Sequence, residues 1–269
     1  MEEFLANPAV QGGLAPFLTA FIVAVALSPM RLGGLAVIAA FLVCMHFVTG
    51  IQFTPLTATR KILILAIAAA AIGPLLDFAL TPTRIGVALI AAGAAGGTLW
   101  AFWPVILQKP AMQAWLFGGS AAVALAFMVG FAQAQLAGDG IRVGAAALAL
   151  GLGTGIAAII AGSLSYGLYG IALGAGAGGF LLPQMIRGEK AAAGATFTVP
   201  AILIGGLVAV GAMLLAQLPW YCVLVLALVP VAVRLPGPGK APVWLQAVVF
   251  SLYGFVIAGV ACALAWPSS

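Results

Sequence analysis

The side chains best suited to bind a solute are concentrated in residues 27–64, between two apolar segments. They are a histidine, three threonines and two adjacent cations, namely His46, Thr49, Thr57, Thr59, Arg60 and Lys61. Hydroxyl and cationic groups together can hold a carboxylate or phosphate through charge-assisted hydrogen bonds. We therefore predict a polar site here for a small anionic or amphipathic solute, or for a lipid head group.

The same residues have a simpler interpretation. Arg60 and Lys61 stand at the start of an apolar segment, where long basic side chains commonly extend to the membrane surface and anchor a helix. His46 has an ordinary pKa near physiological pH and is a candidate proton switch. It is equally a candidate for a neutral group that hydrogen-bonds to a neighbouring helix. The sequence leaves both interpretations open.

Asp77 is the only acidic residue inside an apolar segment. It follows Gly73 and Pro74, a pair that we expect to interrupt a helix and free backbone carbonyl groups. A carboxylate beside such a break can bind a cation or a proton, so Asp77 is our candidate coupling residue. The structural alternative is an interfacial ion pair with Arg84.

No metal or redox cofactor is expected. The single histidine has no second histidine as a partner and no carboxylate near it in sequence. Cys44, Cys222 and Cys262 lie singly inside apolar segments, which argues against a CxxC motif or a disulfide framework. Ser163 and Ser165 lie in GSLSYG, which lacks the GxSG spacing of intramembrane proteases. We predict that the protein is not an enzyme.

Composition places these residues in a membrane protein. Of the 269 residues, 65% are hydrophobic and 6% are charged, whereas a soluble domain carries about a quarter charged residues. Apolar runs recur along the whole chain, so the solvent around them must be lipid. The net charge of +5 comes from scattered basic residues, and nucleic-acid binding needs them gathered on one face.

The apolar runs predict an all-α polytopic membrane protein. Lipid leaves backbone groups no partner outside the chain, and no run alternates as a membrane strand would, so each span must be a helix. A helix crosses the hydrocarbon core in about 17 to 25 residues. We predict one transmembrane domain, residues 1–269, with ten spans at 14–30, 33–50, 61–78, 84–104, 112–135, 142–161, 163–183, 195–215, 217–233 and 242–266.

The basic residues predict the orientation of these spans. Basic loops are retained in the cytoplasm, and seven of the ten Lys and Arg fall in odd-numbered loops. We therefore expect both termini on the outer side of a cell inner membrane. The N-terminal sequence MEEFLANPAVQGG has no basic residue, so the first span is expected to persist as a helix and not to act as a signal peptide.

Weak internal similarity indicates a duplication. A Pro-Val pair and a following Trp at residues 104–115 resemble those at 230–244. This likeness predicts two inverted five-helix halves, 1–135 and 136–269. Three Arg-x-Gly tripeptides indicate instead a repeated two-helix hairpin. The run GAGAGG at 174–179 is typical either of close helix packing or of a broken helix that lines a cavity.

From these features we expect a secondary transporter or exporter of a small anionic or amphipathic solute. The alternative is a non-catalytic membrane subunit that scaffolds a larger complex or binds lipid. The duplication and the glycine-rich spans favour transport. The scarcity of ionisable groups inside the membrane favours the alternative, because ion-coupled carriers usually need them. Membrane lipids, a solute or protein partners are the expected partners, and nucleic acid is not.

Overall fold

The apolar segments of the sequence fold into helices joined by short polar loops. The structure is a computed structural model that describes residues 7–79 and 83–266. Every regular element within these ranges is helical. The α-helices are α1 Ala15–Leu27, α2 Ala36–Val48, α3 Ala58–Ala79, α4 Arg84–Ile106, α5 Ala111–Gln135, α6 Gly140–Ile160, α7 Leu164–Arg187, α8 Gly194–Leu215, α9 Trp220–Leu226, α10 Val229–Val233 and α11 Val243–Ala265. A π-helical segment Val10–Leu14 precedes α1, and 3₁₀ turns Ser28–Met30 and Gly33–Leu35 lead into α2.

The prediction of a helical membrane protein is confirmed. In the described part of the chain, eight helices are long and apolar enough to cross a membrane. Two further apolar segments are shorter, Gly33–Val48 and Trp220–Val233. The first span was expected to be among the shortest, but it extends over Val10–Met30. Gly33–Val48 is about 24 Å long at 1.5 Å per residue, less than the ~30 Å hydrocarbon core.

Helices α6, α7 and α8 form the centre of the bundle. In an apolar 18-residue stretch of each of these helices, 72%, 72% and 83% of the residues are buried. The corresponding share is 22–39% in the other five membrane-length helices. Helices α6 and α7 approach each other through glycines. A Cβ added at Gly151 or Gly170 would collide with the backbone of the facing helix. Small residues allow this approach, and packing is the main source of helix association in lipid.

The helix break expected at Gly73 and Pro74 does not occur, and of the two interpretations of the run 174–179 close helix packing is confirmed. Helix α7 continues through the run 174–179, where Gly176 and Gly179 pack against α2 and α1. Helix α3 likewise continues through Gly73 and Pro74 to Ala79. A Cβ at Gly73 would lie 2.8 Å from Thr196 Cα of α8, so this glycine serves close packing. The two inverted halves stay a prediction.

The loops gather at two ends of the bundle. We name the basic end by residues 28–35, 136–140, 188–194 and 234–242, which are joined by bonds such as Gly194 N–H to Ala137 O at 3.0 Å. The tyrosine end comprises residues 49–57, 107–110 and 161–163, with the adjoining first turn of α7. Seven of the ten Lys and Arg are in the odd-numbered loops or the helix ends beside them, namely Arg31, Arg84, Arg142, Arg187, Lys190, Arg234 and Lys240. The other three are Arg60, Lys61 and Lys109. The acidic N-terminal residues Glu2 and Glu3 lie outside the described residues.

Candidate functional site

The predicted polar stretch lies at the tyrosine end, where α2 ends and α3 begins. The Thr49 hydroxyl donates to Met45 O at 3.2 Å and accepts a hydrogen bond from the Tyr169 hydroxyl at 3.3 Å. Across the same loop, the hydroxyls of Thr59 and Tyr166 lie 3.5 Å apart. Both tyrosines belong to the first turns of α7. The threonines predicted to contact a solute therefore bind this central helix.

The two predicted cations fold the loop instead of projecting freely from it. The Arg60 guanidinium donates to Gln52 Oε1 at 2.6 Å and to Pro55 O at 2.8 Å. Its backbone N–H donates to the Thr57 hydroxyl at 3.4 Å. The Lys61 ammonium donates to Trp100 O at 3.0 Å and lies 5.1 Å from the centroid of that indole, within cation–π range. These bonds occupy donors that a bound oxyanion would otherwise receive.

His46 is exposed near the C-terminus of α2. Its ring packs against Phe47, with centroids 5.7 Å apart. The structure thus gathers Thr49, Thr59 and the two cations around one loop, and leaves the histidine at the surface of the helix. A proton-switch role for His46 stays a prediction.

Asp77 lies at the other end of the molecule from the predicted loop, because α3 is 22 residues long. Its Oδ1 accepts the Ala195 N–H at 2.7 Å, and Oδ2 accepts the Thr196 N–H at 2.8 Å and the Thr196 hydroxyl at 2.6 Å. The carboxylate therefore caps the N-terminus of α8, where free N–H groups and the helix dipole favour negative charge. A Cβ at Gly194, whose φ is +60°, would collide with it.

The expected ion pair between Asp77 and Arg84 does not form. Within residues 7–79 and 83–266, the ion pairs join Asp139 to Arg142 at 3.6 Å and to Lys190 at 3.7 Å. The physical reason is competition: the unpaired N–H groups of α8 lie within reach of Asp77 and offer it hydrogen-bond donors on a rigid element. A coupling role for Asp77 stays a prediction.

A cavity of about 670 Å³ opens at the basic end, between α1, α7 and the first turn before α2. Its wall beyond the mouth is mostly apolar and includes Ala24, Gly34, Phe180 and Pro183, together with the buried amide of Gln184. Its mouth is polar and carries Ser28, Arg31, Arg187, Glu189 and Lys190. This volume lies within the range of about 300–1,000 Å³ that is usual for small-molecule sites.

The cations at the mouth differ in how far the protein itself satisfies them. Lys190 is paired with Asp139. Arg187 donates to the Ser28 hydroxyl at 3.3 Å, and no carboxylate of the described residues pairs with it. Arg31 forms neither a hydrogen bond nor an ion pair through its side chain in the described ranges. It occupies a left-handed turn with φ 59°, ahead of the 3₁₀ turn that opens α2.

The aromatic ring that lines the cavity is that of Phe180, and a second, fully buried ring lies behind it. Phe180 of α7 stacks on Phe197 of α8 with centroids 4.2 Å apart. Gly34 fits beside them, since a Cβ there would lie 2.8 Å from Phe197 N. Arg187 is seven residues from Phe180, so the cavity reaches about 10 Å along α7.

One face of α7 joins the two ends of the molecule. Tyr166, Tyr169, Leu173, Phe180 and Arg187 recur at spacings of three and four or their sums, which places them on one helical face. Phe180 lies eleven residues from Tyr169, about 16 Å along the helix. Leu173 is buried in that interval. The cavity is therefore separated from the tyrosine end by a packed apolar layer.

Sequence reasoning missed this face. Tyr166 was considered only as part of a rejected serine motif, and Tyr169 and Phe180 were not singled out. Arg31 was noted within the stretch 27–64 and as part of a repeat, and Arg187 as a basic loop residue, but neither was predicted to contact a solute. The periodicity of α7 contained a usable signal, because aromatic residues recur on the face that ends in an arginine. What it did not contain was the identity of the helices that cover this face.

The chemistry available in the cavity is binding by cations, a hydroxyl and an apolar floor. No group of three or more His, Cys, Asp or Glu that could hold a metal occurs among the residues that the structure describes. No protein-family model matches the chain, and no curated protein matches it at a significant level. The functional conclusion therefore depends on the geometry and chemistry described above.

Proposed function

We propose that this protein is a secondary transporter of a small solute, and that the cavity at the basic end is its solute site. The observation that supports this proposal is one-sided access. The cavity opens at the basic end, and the same face of α7 is closed by packed side chains and by threonine–tyrosine hydrogen bonds at the tyrosine end. Alternating-access carriers expose their site to one side of the membrane at a time.

The short segment Gly33–Val48 supports the same proposal. Its first residues, Gly33 and Gly34, line the cavity. The N–H groups at the start of a helix have no carbonyl partner inside it and are available to a solute. Carriers commonly form their sites at the ends of helices that do not cross the whole membrane.

Transport requires the tyrosine end to open while the basic end closes. Opening breaks the contacts between Thr49 and Tyr169 and between Thr59 and Tyr166. Hydrogen bonds between membrane helices average about 0.6 kcal/mol, so both together resist opening by only about 1 kcal/mol. The apolar layer between Phe180 and Tyr169 must separate as well, and it contributes the larger barrier.

The basic residues also support an orientation. Seven of ten Lys and Arg are in or beside the odd-numbered loops, and loops rich in Lys and Arg are retained in the cytoplasm. We propose that the basic end faces the cytoplasm of a cell with this protein in its inner membrane, and that both termini face outward. The cavity would then be open to the cytoplasm.

Uptake into proteoliposomes tests the transport proposal. The probes are radiolabelled phosphate, phenylacetate, succinate, lysine and glucose, and at least one should enter faster than into protein-free liposomes. Ser28→Trp, which places a large ring in the mouth of the cavity, should stop that uptake. Leu18→Trp in the same span, Val10–Met30, is the matched control, since Leu18 is 48% exposed on the outside of the bundle. Absence of uptake for the whole panel would contradict transport.

The second candidate function is a non-catalytic membrane subunit or lipid-binding protein. Between the cavity floor and the tyrosine end, the described helices carry no Asp, Glu, Lys or Arg, and ion-coupled carriers usually need such groups. Purification in mild detergent with mass spectrometry of co-eluting proteins separates the two candidates. A stoichiometric protein partner, together with no uptake, would favour the subunit.

A further inference from the structure

We propose that the cavity at the basic end selects an amphipathic oxyanion, with its carboxylate or phosphate between Arg31 and Arg187 and its apolar part against the ring of Phe180. This inference rests on the proposed function in one respect, namely that the same cavity is the solute site. It goes further by giving each end of the solute a partner. It also names the chemical class that the site would reject, which is neutral or cationic solutes.

The first argument for an anionic ligand is the charge balance at the mouth of the cavity. Lys190 shares the carboxylate of Asp139 with Arg142, so only part of its charge is compensated within the protein. Arg31 and Arg187 have no carboxylate partner among the described residues, and Glu189 is the one acidic side chain in the lining. Two uncompensated guanidinium groups therefore face one carboxylate, and the mouth attracts an anion.

The second argument, for a carboxylate or phosphate, is that both cations are arginines. A guanidinium presents five N–H donors in a planar fork that matches the oxygens of a carboxylate or phosphate. Arg187 uses one bond on Ser28, and Arg31 uses none within the described ranges. Both arginines thus keep donors for a shared oxyanion. A halide would leave most of these directional donors without an acceptor.

The third argument is the depth of the cavity. The wall beyond the mouth is formed mainly by Ala24, Pro183 and the ring of Phe180, and the amide of Gln184 there is already bonded to Phe180 O and to the Ala191 N–H. Such a wall gains nothing from a fully hydrated ion, because burying a polar group without a hydrogen bond is unfavourable. An apolar or aromatic substituent can instead pack against the ring of Phe180, which the buried ring of Phe197 supports from behind. The site is about 10 Å deep along α7, which leaves room for such a substituent behind the oxyanion.

Two kinds of ligand carry an oxyanion next to an apolar part. A water-soluble carboxylate or phosphate ester can enter from the aqueous phase. The phosphate of an anionic lipid can enter from the membrane surface, with its glycerol and upper chain against the apolar wall. Both sources place an oxyanion between the two arginines, so the experiment below has an arm for each.

Binding to the full-length protein in phosphatidylcholine nanodiscs tests the inference. The probes are phenyl phosphate and phenylacetate, with phenylacetamide as the uncharged analogue and inorganic phosphate as the head group alone. Isothermal titration calorimetry should give saturable binding of both aromatic anions. Phenylacetamide should bind at least about tenfold more weakly, because its neutral amide forms no ion pair and has only one acceptor oxygen for the two arginines.

The variants Arg31→Asn and Arg187→Gln should each weaken phenyl phosphate binding at least about tenfold. Asparagine suits position 31 because it tolerates a left-handed backbone better than most residues, so the loss cannot be assigned to a strained turn. Lys240→Gln is the matched control. It removes the same charge from an exposed position at the same end, outside the cavity, and should leave binding unchanged.

Glu189→Gln tests the inference through an expected increase in affinity. Removing the one carboxylate in the lining should tighten phenyl phosphate binding about two- to fivefold, as expected for a partly exposed like charge. An increase in affinity cannot arise from misfolding. It would also place the bound phosphate close to residue 189, which a binding site elsewhere on the protein does not predict.

Nanodiscs that contain phosphatidylglycerol distinguish the two sources. Binding of the free anions that is lost in both arginine variants supports a water-soluble solute. Retention of phosphatidylglycerol that depends on both arginines, without binding of free anions, supports the lipid head group in the same site. Absence of both, or binding unchanged in Arg31→Asn and Arg187→Gln, overturns the inference.

The outcomes for this inference and for transport are separable. Anion binding without uptake into proteoliposomes would leave the oxyanion site in place and remove the transport function. Uptake of glucose or lysine without anion binding would leave transport in place and remove the oxyanion site.

Discussion

The two ends of this molecule use similar side chains in opposite ways. At the tyrosine end, Arg60 and Lys61 donate hydrogen bonds to groups of the chain itself. At the basic end, Arg31 has no such bond in the described ranges, and Arg187 bonds only the neutral Ser28. The protein bonds these two cations of the basic end to fewer of its own groups, and for this reason we propose the solute site there.

Loop geometry explains this difference. The connection over residues 49–57 is long enough to bring Gln52 Oε1 and Pro55 O back to Arg60. The connection between α1 and α2 is built from two 3₁₀ turns, with Arg31 in a left-handed conformation between them. In this tight turn the backbone carbonyls bond to backbone N–H groups, such as Ser28 O to Arg31 N–H at 3.1 Å. The Arg31 side chain is therefore left without an internal acceptor.

The largest expected effect comes from disturbing the centre that both ends share. Gly170→Leu places a side chain where even a Cβ would collide with the backbone of α6. We expect a loss of about 3 kcal/mol in the free energy of unfolding, or a failure to purify as a single species, as for strong overpacking. Fluorescence-detected size-exclusion chromatography measures this. Gly93→Leu is the control, because a Cβ there has no neighbour within 4 Å, and equal damage in both variants would contradict close packing at α6–α7.

The next largest effect is expected from substitutions that weaken the contacts closing the tyrosine end. In Tyr166→Phe with Tyr169→Phe, both hydroxyl contacts to the threonines are lost. We expect the thiol of Cys44, which is buried against α7, to react with N-ethylmaleimide about three- to tenfold faster, since the barrier to opening falls by about 1 kcal/mol. Mass spectrometry of the labelled peptide measures the rate. Cys222 on α9 is the internal control, and equal acceleration at both thiols would indicate general loosening instead.

A smaller effect is expected from the cap at the basic end. Asp77→Ala removes the acceptors of three bonds from the start of α8. Loss of an N-terminal cap costs about 1 kcal/mol in the free energy of unfolding, which denaturant titration in detergent can detect. Arg84→Gln should have no measurable effect. If both substitutions destabilise equally, the ion-pair interpretation is preferable to the cap.

The smallest effect is expected where the sequence alone placed the solute. Arg60→Ala with Lys61→Ala should change the affinity for phenyl phosphate by less than about twofold, because both cations lie outside the proposed cavity and bond to groups of the chain itself. Contacts of such partly exposed cations contribute only a few tenths of a kcal/mol to the free energy of unfolding. Calorimetry in nanodiscs measures this affinity. Abolished binding in this double variant would return the site to the tyrosine end and reverse the comparison.

Hydropathy was sufficient to predict most of the architecture, but it failed at two kinds of detail. Pro74 was expected to interrupt α3, yet the helix continues to Ala79. In a membrane, neighbouring helices compensate for the missing bond, and Gly73 packs directly on α8. Asp77 was given a partner nearby in sequence, whereas its donors come from residues about 120 positions away.

The site was predicted less well than the fold for a related reason. Thr49 and Thr59 were expected on one loop, but Thr59 belongs to the first turn of α3. Their tyrosine partners lie 120 and 107 residues further along the chain. Arg187 meets Ser28 across 159 residues. Spacing rules describe neighbours on one helix, and none of these contacts is of that kind. The sequence shows the aromatic face of α7, but it does not show which helices cover that face.

The sequence by itself determined that this protein is a bundle of membrane helices, with most of its basic residues in alternate loops. Lipid offers backbone groups no hydrogen bonds, so apolar segments of this length have helix as their available structure. Only the tertiary structure decided which cations are satisfied and which remain available. That choice depends on which helices pack together, and in lipid the packing follows the close fit of small residues such as Gly151 and Gly170.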